Sequence, residues 1–314
     1  MILLANEEGR SGVAAAMQTL RQSGAALDAI ELGIRAVEKD PSIGTVGLGG
    51  APNLLGEVEC DASIMDGRTL ETGAVGALKG YLHAVSVARK VMERLPHAFL
   101  VGEGAARFAG EIEAVAAPML TADAKTEHDR WFREHASSQS LEDWPNVPLA
   151  ELAWTSAKEV MKGGTTIFLA VDQAGNMAGG VSSSGAARKY PGRLGDSPII
   201  GAGLYVDGRH GACACTHTGE MSIRTVTAHS VVQQMKRGAT VSDACHGAAH
   251  DLLSLKKGHL GSVVIHAIDR EGTPFVLATG PVADDVGYHY WDGSANEPIQ
   301  GRPAFLTRAG DDPS

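Results

Sequence analysis

The chain has 314 residues, of which 44% are hydrophobic, 20% charged and 5% aromatic, a composition typical of a globular protein rather than of a disordered, collagenous or coiled-coil one. Asp and Glu number 37 against 27 Lys and Arg, so the formal charge is -10. Such a surface repels phosphate backbones and anionic lipid, so neither nucleic acid nor a membrane is expected as a partner. The 39 glycines favour a compact α/β enzyme with many tight turns.

Targeting signals and cysteines suggest where the protein acts. No apolar run approaches the ~18 residues of a transmembrane span, and the start, MILLAN, lacks the basic region of a signal peptide. Four cysteines in a chain of this size do not form a disulfide scaffold. We therefore expect a cytoplasmic protein.

In the first half, apolar periodicity and turn residues predict the order strand, two helices, two strands, helix, strand and helix. The predicted strands are 2–5, 57–66 as part of a hairpin, and 98–101. The predicted helices are 13–20, 25–37, 86–95 and 103–109. Residues 111–164 are polar and contain three prolines, which predicts a connecting segment that is only partly helical.

In the second half, strands at 165–172 and 177–184 flank a turn at 173–176, which predicts a hairpin. The other predicted strands are 204–207, 212–216, 262–269 and 275–278, and the predicted helices are 221–235 and 241–255. Both halves mix hairpins with paired helices. We therefore expect two antiparallel sheets stacked face to face, with helices on both outer sides.

A glycine pair, Gly163 and Gly164, stands directly before Thr165, the first residue of a predicted strand. Cleavage of the chain at that point would give Thr165 a free α-amino group. Such a threonine carries nucleophile and base together, because its amine, with a pKa of about 8, can accept the hydroxyl proton. The same tripeptide also fits an ordinary turn that enters a strand.

Several longer segments form a distinctive set. They are GAALDAIELGIRAVEKDP (24–41), GGAPN (49–53), DASIMDG (61–67), SVARKVMERLPHAFLVGEGA (86–105), the strand at 165 and GRLGDSPIIGAG (192–203). With this set the chain resembles the glycosylasparaginase and plant-type asparaginase family of N-terminal-nucleophile (Ntn) hydrolases. Its first half is more similar to bacterial glycosylasparaginases than to isoaspartyl peptidases, whose His-Gly-Gly-Ala-Gly opening is absent. The resemblance implies an amidase that acts on a β-linked asparagine.

The resemblance also implies roles for individual residues. Thr165 matches the nucleophile, released by self-cleavage of the Gly164–Thr165 bond. Arg193 and Asp196 match the pair that binds the α-carboxylate and α-ammonium of the substrate, roles for which a guanidinium fork and a carboxylate are suited. Their three-residue spacing in a glycine-rich loop lets both side chains face one small zwitterion.

Three further positions match the catalytic machinery of that family. Ser183 stands where relatives have a threonine whose hydroxyl hydrogen-bonds the nucleophile. Thr216 matches the side-chain donor of the oxyanion hole, where one such donor contributes about 3 kcal/mol. His217 stands where the family has a glycine whose backbone N–H is the second donor, and a glycine-only backbone conformation predicts strain for a histidine.

Two other positions depart from the glycosylasparaginase pattern. Gly164 stands where glycosylasparaginases have an aspartate that is thought to assist self-cleavage. The plant-type relatives also have a glycine there, so the base for that step is not identified. Asn6 replaces a tryptophan that lies near the substrate in characterised glycosylasparaginases. This second departure argues against a glycan-linked substrate.

Three local patterns imitate other kinds of site. The CACTH segment (213–217) resembles a metal site, but zinc needs four convergent ligands and no second cluster is evident, so no metal is expected. The HGAAH segment (246–250) has histidines at helical spacing but lacks the glutamate base of a zincin. The GEG segment (102–104) lacks the properly spaced third glycine of a dinucleotide-binding fingerprint.

The sequence therefore predicts an α+β fold, a four-layer αββα sandwich of the Ntn-hydrolase type, in one domain (1–314) processed into chains 1–164 and 165–314. The predicted activity is hydrolysis of the side-chain amide of asparagine derivatives without a cofactor. The substrate would be a small molecule with free α-amino and α-carboxylate groups, and the resemblance implies a dimer of αβ units. Three alternatives stay open: an L-asparaginase or β-aspartyl (isoaspartyl) peptidase, a weakly active amino-acid-binding homologue, and a structural protein.

Overall fold

The computed structural model describes residues 1–142, 144–159, 164–280 and 286–307. The helices are α1 (Arg10–Arg21), α2 (Ala26–Lys39), α3 (Ala84–Arg94), α4 (Gly102–Glu111), α5 (Ala122–His135), α6 (Ser138–Glu142), α7 (Ala150–Lys158), α8 (Gly219–Thr225), α9 (Thr227–Lys236) and α10 (Val241–Ser254). A short 3-10 helix, Glu7–Gly9, precedes α1. Threonines that accept a backbone N–H begin α5 and α10, because a side-chain oxygen satisfies an otherwise unpaired amide of the first turn.

The strands alternate with these helices along the chain. They are β1 (Ile2–Asn6), β2 (Cys60–Asp66), β3 (Thr72–Leu78), β4 (Phe99–Val101), β5 (Thr166–Val171), β6 (Met177–Ser183), β7 (Leu204–Asp207), β8 (Gly211–His217), β9 (Val263–Asp269), β10 (Pro274–Thr279), β11 (Tyr288–Trp291), β12 (Ile299–Gly301) and β13 (Ala304–Leu306).

Within the described residues the strands form two sheets. The larger has the order β12-β11-β1-β5-β6-β2-β3-β4, and the smaller has the order β13-β10-β9-β8-β7. In the antiparallel pair β5 and β6, Thr166 lies opposite Ser182. This register places residues 165 and 183 side by side, at the ends of two central strands of the larger sheet.

Side-chain alternation along the strands separates the apolar core into layers. Phe168 of β5 points toward α2, where it joins a cluster with Ile30 and Ile34. The next residue, Leu169, points the other way into a cluster shared with Val264 of β9 in the smaller sheet. A third cluster lies between the smaller sheet and helices α8, α9 and α10. The order helices, sheet, sheet, helices follows from the two-residue period of the strands and agrees with the predicted αββα sandwich.

The structure differs from the predicted elements in two respects. The single helix predicted at 221–235 is two helices, because Val226 has a left-handed backbone (φ 49°) that interrupts the helix between α8 and α9. Strands β11, β12 and β13 were not predicted, and β11 pairs directly with β1. The partly helical connection after residue 111 is confirmed, since α5, α6 and α7 lie there.

In the described part of the chain, each helix is too short or too polar to cross a lipid bilayer.

Candidate active site

A cavity of about 710 Å³ opens where β5 and β6 of the larger sheet meet the end of β8 in the smaller sheet. Six of the residues singled out from the sequence line it: Gly164, Thr165, Ser183, Arg193, Asp196 and His217. Thr216 is buried directly behind this wall and does not line the cavity described here. Gly163 lies outside the described residues. The fold thus brings the predicted site residues to one place from three segments that are distant in sequence.

Ser183 contacts the bond predicted to be cleaved. In the uncleaved chain its hydroxyl donates to the carbonyl oxygen of Gly164 at 3.0 Å and accepts the backbone N–H of Gly185 at 2.8 Å. Thr165, whose hydroxyl would attack this carbonyl, is only 6% exposed. A donor on the carbonyl oxygen stabilises the negative charge that develops there during attack. The contact between Ser183 and the Thr165 hydroxyl itself stays a prediction for the processed protein.

The side chain of Thr45 explains why glycine stands at position 164. A Cβ atom built on Gly164 would collide with the Cβ and hydroxyl of Thr45. An aspartate at this position, as in the glycosylasparaginases, therefore needs a different arrangement of the 45 region. Sequence reasoning missed Thr45, because nothing local to it points to residue 164.

Asn6 anchors the start of β5. Its side-chain amide donates to the carbonyl of Thr165 at 2.5 Å and to Glu8 at 2.6 Å, while its oxygen accepts the N–H of Ile167 at 3.0 Å. Asn6 is 3% exposed and does not line the described cavity. Its side chain thus holds the backbone on both sides of residue 166, and the effect of this position on the leaving group stays a prediction.

Arg193 is oriented by an acidic neighbour that sequence reasoning missed. Its Nε and Nη2 atoms donate to the two carboxylate oxygens of Glu220 at 2.9 and 2.8 Å. A guanidinium has a second edge, formed by its two Nη atoms, that can bind another carboxylate. Arg193 also holds the pKa of Glu220 below its usual range, although burial opposes this effect. The only sequence signal for Glu220 was its place in the CTHTGE segment (215–220), which also contains Thr216 and His217.

Asp196 is a buried carboxylate with an open oxygen. It is 3% exposed, it lines the cavity, and its Oδ2 atom has no hydrogen-bond partner among the described residues. Burial raises the pKa of Asp196 to about 6, and the charge of Arg193 counteracts part of this rise. A buried and unsatisfied carboxylate oxygen is unfavourable until a cationic group binds to it. This arrangement fits an incoming ammonium.

The predicted backbone strain at His217 is present, because its φ angle is +82°, in the region that glycine adopts most easily. Its ring nitrogen Nδ1 lies 3.0 Å from the hydroxyl oxygen of Thr216. If Nδ1 carries the proton and donates, the Thr216 hydroxyl keeps its own proton for another acceptor. The imidazole tautomer therefore decides whether Thr216 is free to act as a donor.

The patterns that imitated other sites have structural roles in the described residues. Cys213 and Cys215 are fully buried in the cluster beneath α9 and α10. In the described part of the chain, no three His, Cys, Asp or Glu side chains are grouped so that they could hold a metal ion. His246 donates from Nδ1 to the carbonyl of Ser242 at 2.8 Å within α10. Gly102 only begins α4.

Comparison with known proteins identifies relatives of this chain. A model of the asparaginase family matches residues 6–279. The N(4)-(β-N-acetylglucosaminyl)-L-asparaginase of Elizabethkingia miricola is 39% identical over 242 residues, which cover 76% of this chain and 65% of the relative. This match therefore spans slightly less than two thirds of that relative.

Two other relatives are matched over more of their length. The N(4)-(β-N-acetylglucosaminyl)-L-asparaginase of Rattus norvegicus is 34% identical over 81% of this chain and 78% of its own length. The isoaspartyl peptidase of Salmonella typhimurium is 32% identical over 92% of this chain and 88% of its own length. Since the family model and these relatives cover most of its residues, the chain belongs to the asparaginase family.

Proposed function

We propose that the protein is a threonine amidohydrolase that cleaves the side-chain amide of asparagine derivatives and releases aspartate. The observation that carries the proposal is the hydrogen bond from Ser183 to the Gly164 carbonyl, which lies in the cavity that Arg193 and Asp196 also line. This arrangement combines an activated peptide bond, a latent nucleophile and a pair of charges that complements an amino acid.

Activation begins with attack of the Thr165 hydroxyl on the carbonyl carbon of Gly164. The C–N bond breaks as the nitrogen of Thr165 gains a proton, and the resulting ester is hydrolysed by water. The products are a carboxylate at Gly164 and a free α-amino group at Thr165. This amine then serves as the base for the adjacent hydroxyl, so one residue supplies both groups.

In the catalytic cycle, the Thr165 hydroxyl attacks the side-chain amide carbon of the substrate. Arg193 binds the substrate α-carboxylate through its two Nη atoms while Glu220 holds the adjacent Nε–Nη2 edge, and Asp196 binds the α-ammonium. The Thr216 hydroxyl and the backbone N–H of residue 217 stabilise the oxyanion. The leaving amine takes a proton, and water hydrolyses the acyl-enzyme to release aspartate.

A second candidate substrate class is favoured by the size of the cavity. Its volume of about 710 Å³ is at the scale of sites for whole small molecules, so it has room for a leaving group larger than ammonia. The far wall is one face of α7, formed by Ala150, Ala153, Trp154 and Ala157. Apolar contact of this kind suits the side chain of a β-aspartyl dipeptide.

The test uses purified protein and three substrates. Mass spectrometry of the wild type should show fragments of 164 and 150 residues, the smaller beginning Thr-Thr-Ile-Phe. Thr165→Ala protein should stay intact and inactive. Asparagine, β-aspartyl-leucine and N-glycosylated asparagine are then compared by kcat/KM, and release of aspartate from none of them by a processed wild type would refute the proposal.

The remaining expectations rest on the resemblance and on composition. A dimer of αβ units is proposed, and light scattering of the processed protein tests it. A cytoplasmic location is supported by four cysteines that are buried and free. The proposed partner is a small zwitterion. Nucleic acid is not proposed as a partner, because a chain with a formal charge of -10 repels phosphate backbones.

A further inference from the structure

A buried lysine lies between two buried carboxylates beside the active-site cavity. Nζ of Lys189 is 3.8 Å from Glu59 and 3.9 Å from Asp61, and it donates to the backbone carbonyl of Glu59 at 3.2 Å. The three side chains are 1%, 5% and 0% exposed. We refer to Lys189, Glu59 and Asp61 as the Lys189 cluster. None of its members was singled out from the sequence.

Both carboxylates of the cluster accept backbone amides from the loop 192–196, which carries Arg193 and Asp196. The N–H of Gly192 lies 3.1 and 3.2 Å from the two oxygens of Glu59. The N–H of Gly195 makes a longer bond of 3.5 Å to Oδ2 of Asp61, whose other oxygen accepts the N–H of Ala77 at 2.8 Å. The two loop amides flank Arg193 on either side. The cluster therefore fixes the backbone from which the guanidinium extends.

Three ionisable groups are an unfavourable way to fill a protein interior. Burial raises the pKa of Asp61, while Lys189, the Ala77 amide and Arg193 counteract the rise. Apolar side chains of similar volume often stabilise a core as well as a buried ion pair does, or better. The free-energy cost of burying these three groups fits a role in fixing the position of the backbone. Hydrogen bonds to ionised acceptors are stronger and more directional than apolar contacts.

We propose that Lys189, Glu59 and Asp61 are positioning residues for the substrate-recognition loop 192–196 and set the place of Arg193 for the substrate α-carboxylate. The inference rests on the proposed function for the identity of that ligand. Lys189 acts through the two carboxylates: its ammonium lies between them, and they in turn hold Gly192 and Gly195. The nucleophile is held separately, by Asn6 at the start of β5.

Three substitutions separate the parts of the cluster. Lys189→Met removes the cation and leaves two carboxylates without a counter-charge. Asp61→Asn leaves one acceptor oxygen for two amides, so either Ala77 or Gly195 loses its bond. Glu59→Gln keeps one oxygen for Gly192, which needs only one. We therefore expect Asp61→Asn to disturb the loop more than Glu59→Gln.

The matched control is Lys79→Met. Lys79 also pairs with a glutamate next to β2, Glu57, at 3.2 Å, but the two side chains are 48% and 46% exposed. An exposed pair of this kind contributes little to stability. This variant should leave loop, binding and turnover unchanged.

The experiment measures three quantities in each processed variant: hydrogen exchange of residues 190–197, Kd for L-aspartate by calorimetry, and kcat and KM for asparagine and β-aspartyl-leucine. We expect faster exchange of the loop in Lys189→Met and Asp61→Asn. We also expect Kd and KM to rise about tenfold or more, as for loss of a hydrogen bond to a charged group, with kcat within about threefold of wild type. Self-cleavage should proceed, because the hydrogen bonds of the cluster go to Gly192, Gly195 and Ala77 rather than to residue 165.

Two results would overturn the proposal. One is unchanged exchange of the loop in all folded variants, and the other is a fall in kcat with unchanged KM and Kd. If Lys189→Met fails to fold, the ranking of Asp61→Asn against Glu59→Gln decides the question in the same way. If the wild type hydrolyses no substrate, the proposed function fails, whereas the exchange measurement still decides whether the cluster holds the loop.

Discussion

The hydroxyl of Ser183 donates a 3.0 Å hydrogen bond to the carbonyl oxygen of Gly164 in the uncleaved chain. Loss of this donor should slow self-cleavage by about a hundredfold, because one donor on a developing oxyanion contributes about 3 kcal/mol. We therefore expect Ser183→Ala protein to persist as a full-length chain long after the wild type is processed. A time course followed by intact-mass measurement checks this.

The neighbouring serine supplies the control for this prediction. Ser182 lies on the same strand, but its hydroxyl donates to Glu38 at 2.7 Å on the opposite face of the sheet. Ser182→Ala should therefore process at close to the wild-type rate. Equal rates for Ser183→Ala and the wild type would show that this hydroxyl does not assist cleavage.

Arg193→Lys should weaken substrate binding by a few kcal/mol, on the order of one or two charge-assisted hydrogen bonds, because lysine keeps the charge but not the fork. Self-cleavage should survive. The control is Arg209→Lys, since the exposed Arg209 makes the same two-bond contact through Nε and Nη2 to Asp207. Substrates with an amidated α-carboxylate should be poor for the wild type. Equal turnover of amidated and free substrates would contradict the assignment of Arg193.

Asp196 should make kcat/KM decrease on the acid side of the pH profile, which we call the acid limb. Burial raises the pKa of Asp196 to about 6, and only the ionised form attracts the substrate ammonium. We expect kcat/KM to fall as the pH drops below about 6. Asp196→Asn protein should show a low kcat/KM with no such limb, and an unchanged limb in this variant would assign it to another group.

The same shift predicts a gain in stability when the carboxyl is removed. Because the folded-state pKa is raised, the fold favours the protonated form, and this stabilisation is lost as the pH rises from about 4 through about 6. At pH 7.5 the ionised Asp196 thus destabilises the fold by roughly 3 kcal/mol at most. Asp196→Asn should have a higher Tm than the wild type at pH 7.5 and a similar Tm near pH 4. Thermal unfolding at the two pH values measures this.

His217 combines a strained backbone with a ring that lines the cavity, and two substitutions separate these features. His217→Gly removes both and should stabilise the fold by about 1 kcal/mol, whereas His217→Ala removes only the ring and should bring no such gain. We expect both variants to gain activity on N-glycosylated asparagine while their rate on asparagine stays nearly constant.

The contact between His217 and Thr216 could instead be needed for catalysis, and this would reverse the expected result. If donation from Nδ1 to the Thr216 hydroxyl is needed for the oxyanion, both variants lose that contact equally. A drop of a hundredfold or more on all three substrates would then show that the ring itself contributes to the transition state.

Trp154 should govern the size of the leaving group. It lines the cavity and is 59% exposed. Trp154→Ala should raise KM for β-aspartyl-leucine several-fold and leave asparagine unaffected, since only the larger leaving group reaches α7. Phe305→Ala, at an aromatic residue of β13 that is 58% exposed, is the control. Parallel changes for both substrates would show that Trp154 acts on the site as a whole.

Local pattern in the sequence determined much of the fold. The apolar run after Thr165 and the turn at 173–176 predicted strands β5 and β6, and helix-spaced apolar residues predicted α1, α2 and α10. The break at Val226 was not predicted, because a left-handed valine has no local signature. Strand β11 was not predicted, because its pairing with β1, which is far away in the sequence, defines it as a strand.

The candidate site divides in the same way. The sequence by itself located Thr165, Ser183, Arg193 and Asp196 through motifs, and it indicated the unusual backbone at His217. Only the tertiary structure decided which groups surround them: Thr45 against Gly164, Glu220 on Arg193, and Lys189 between Glu59 and Asp61. These contacts join residues from 27 to 130 positions apart, as for Arg193 with Glu220 and Lys189 with Glu59. Their formation depends on strand order, register and loop packing, which no local periodicity encodes.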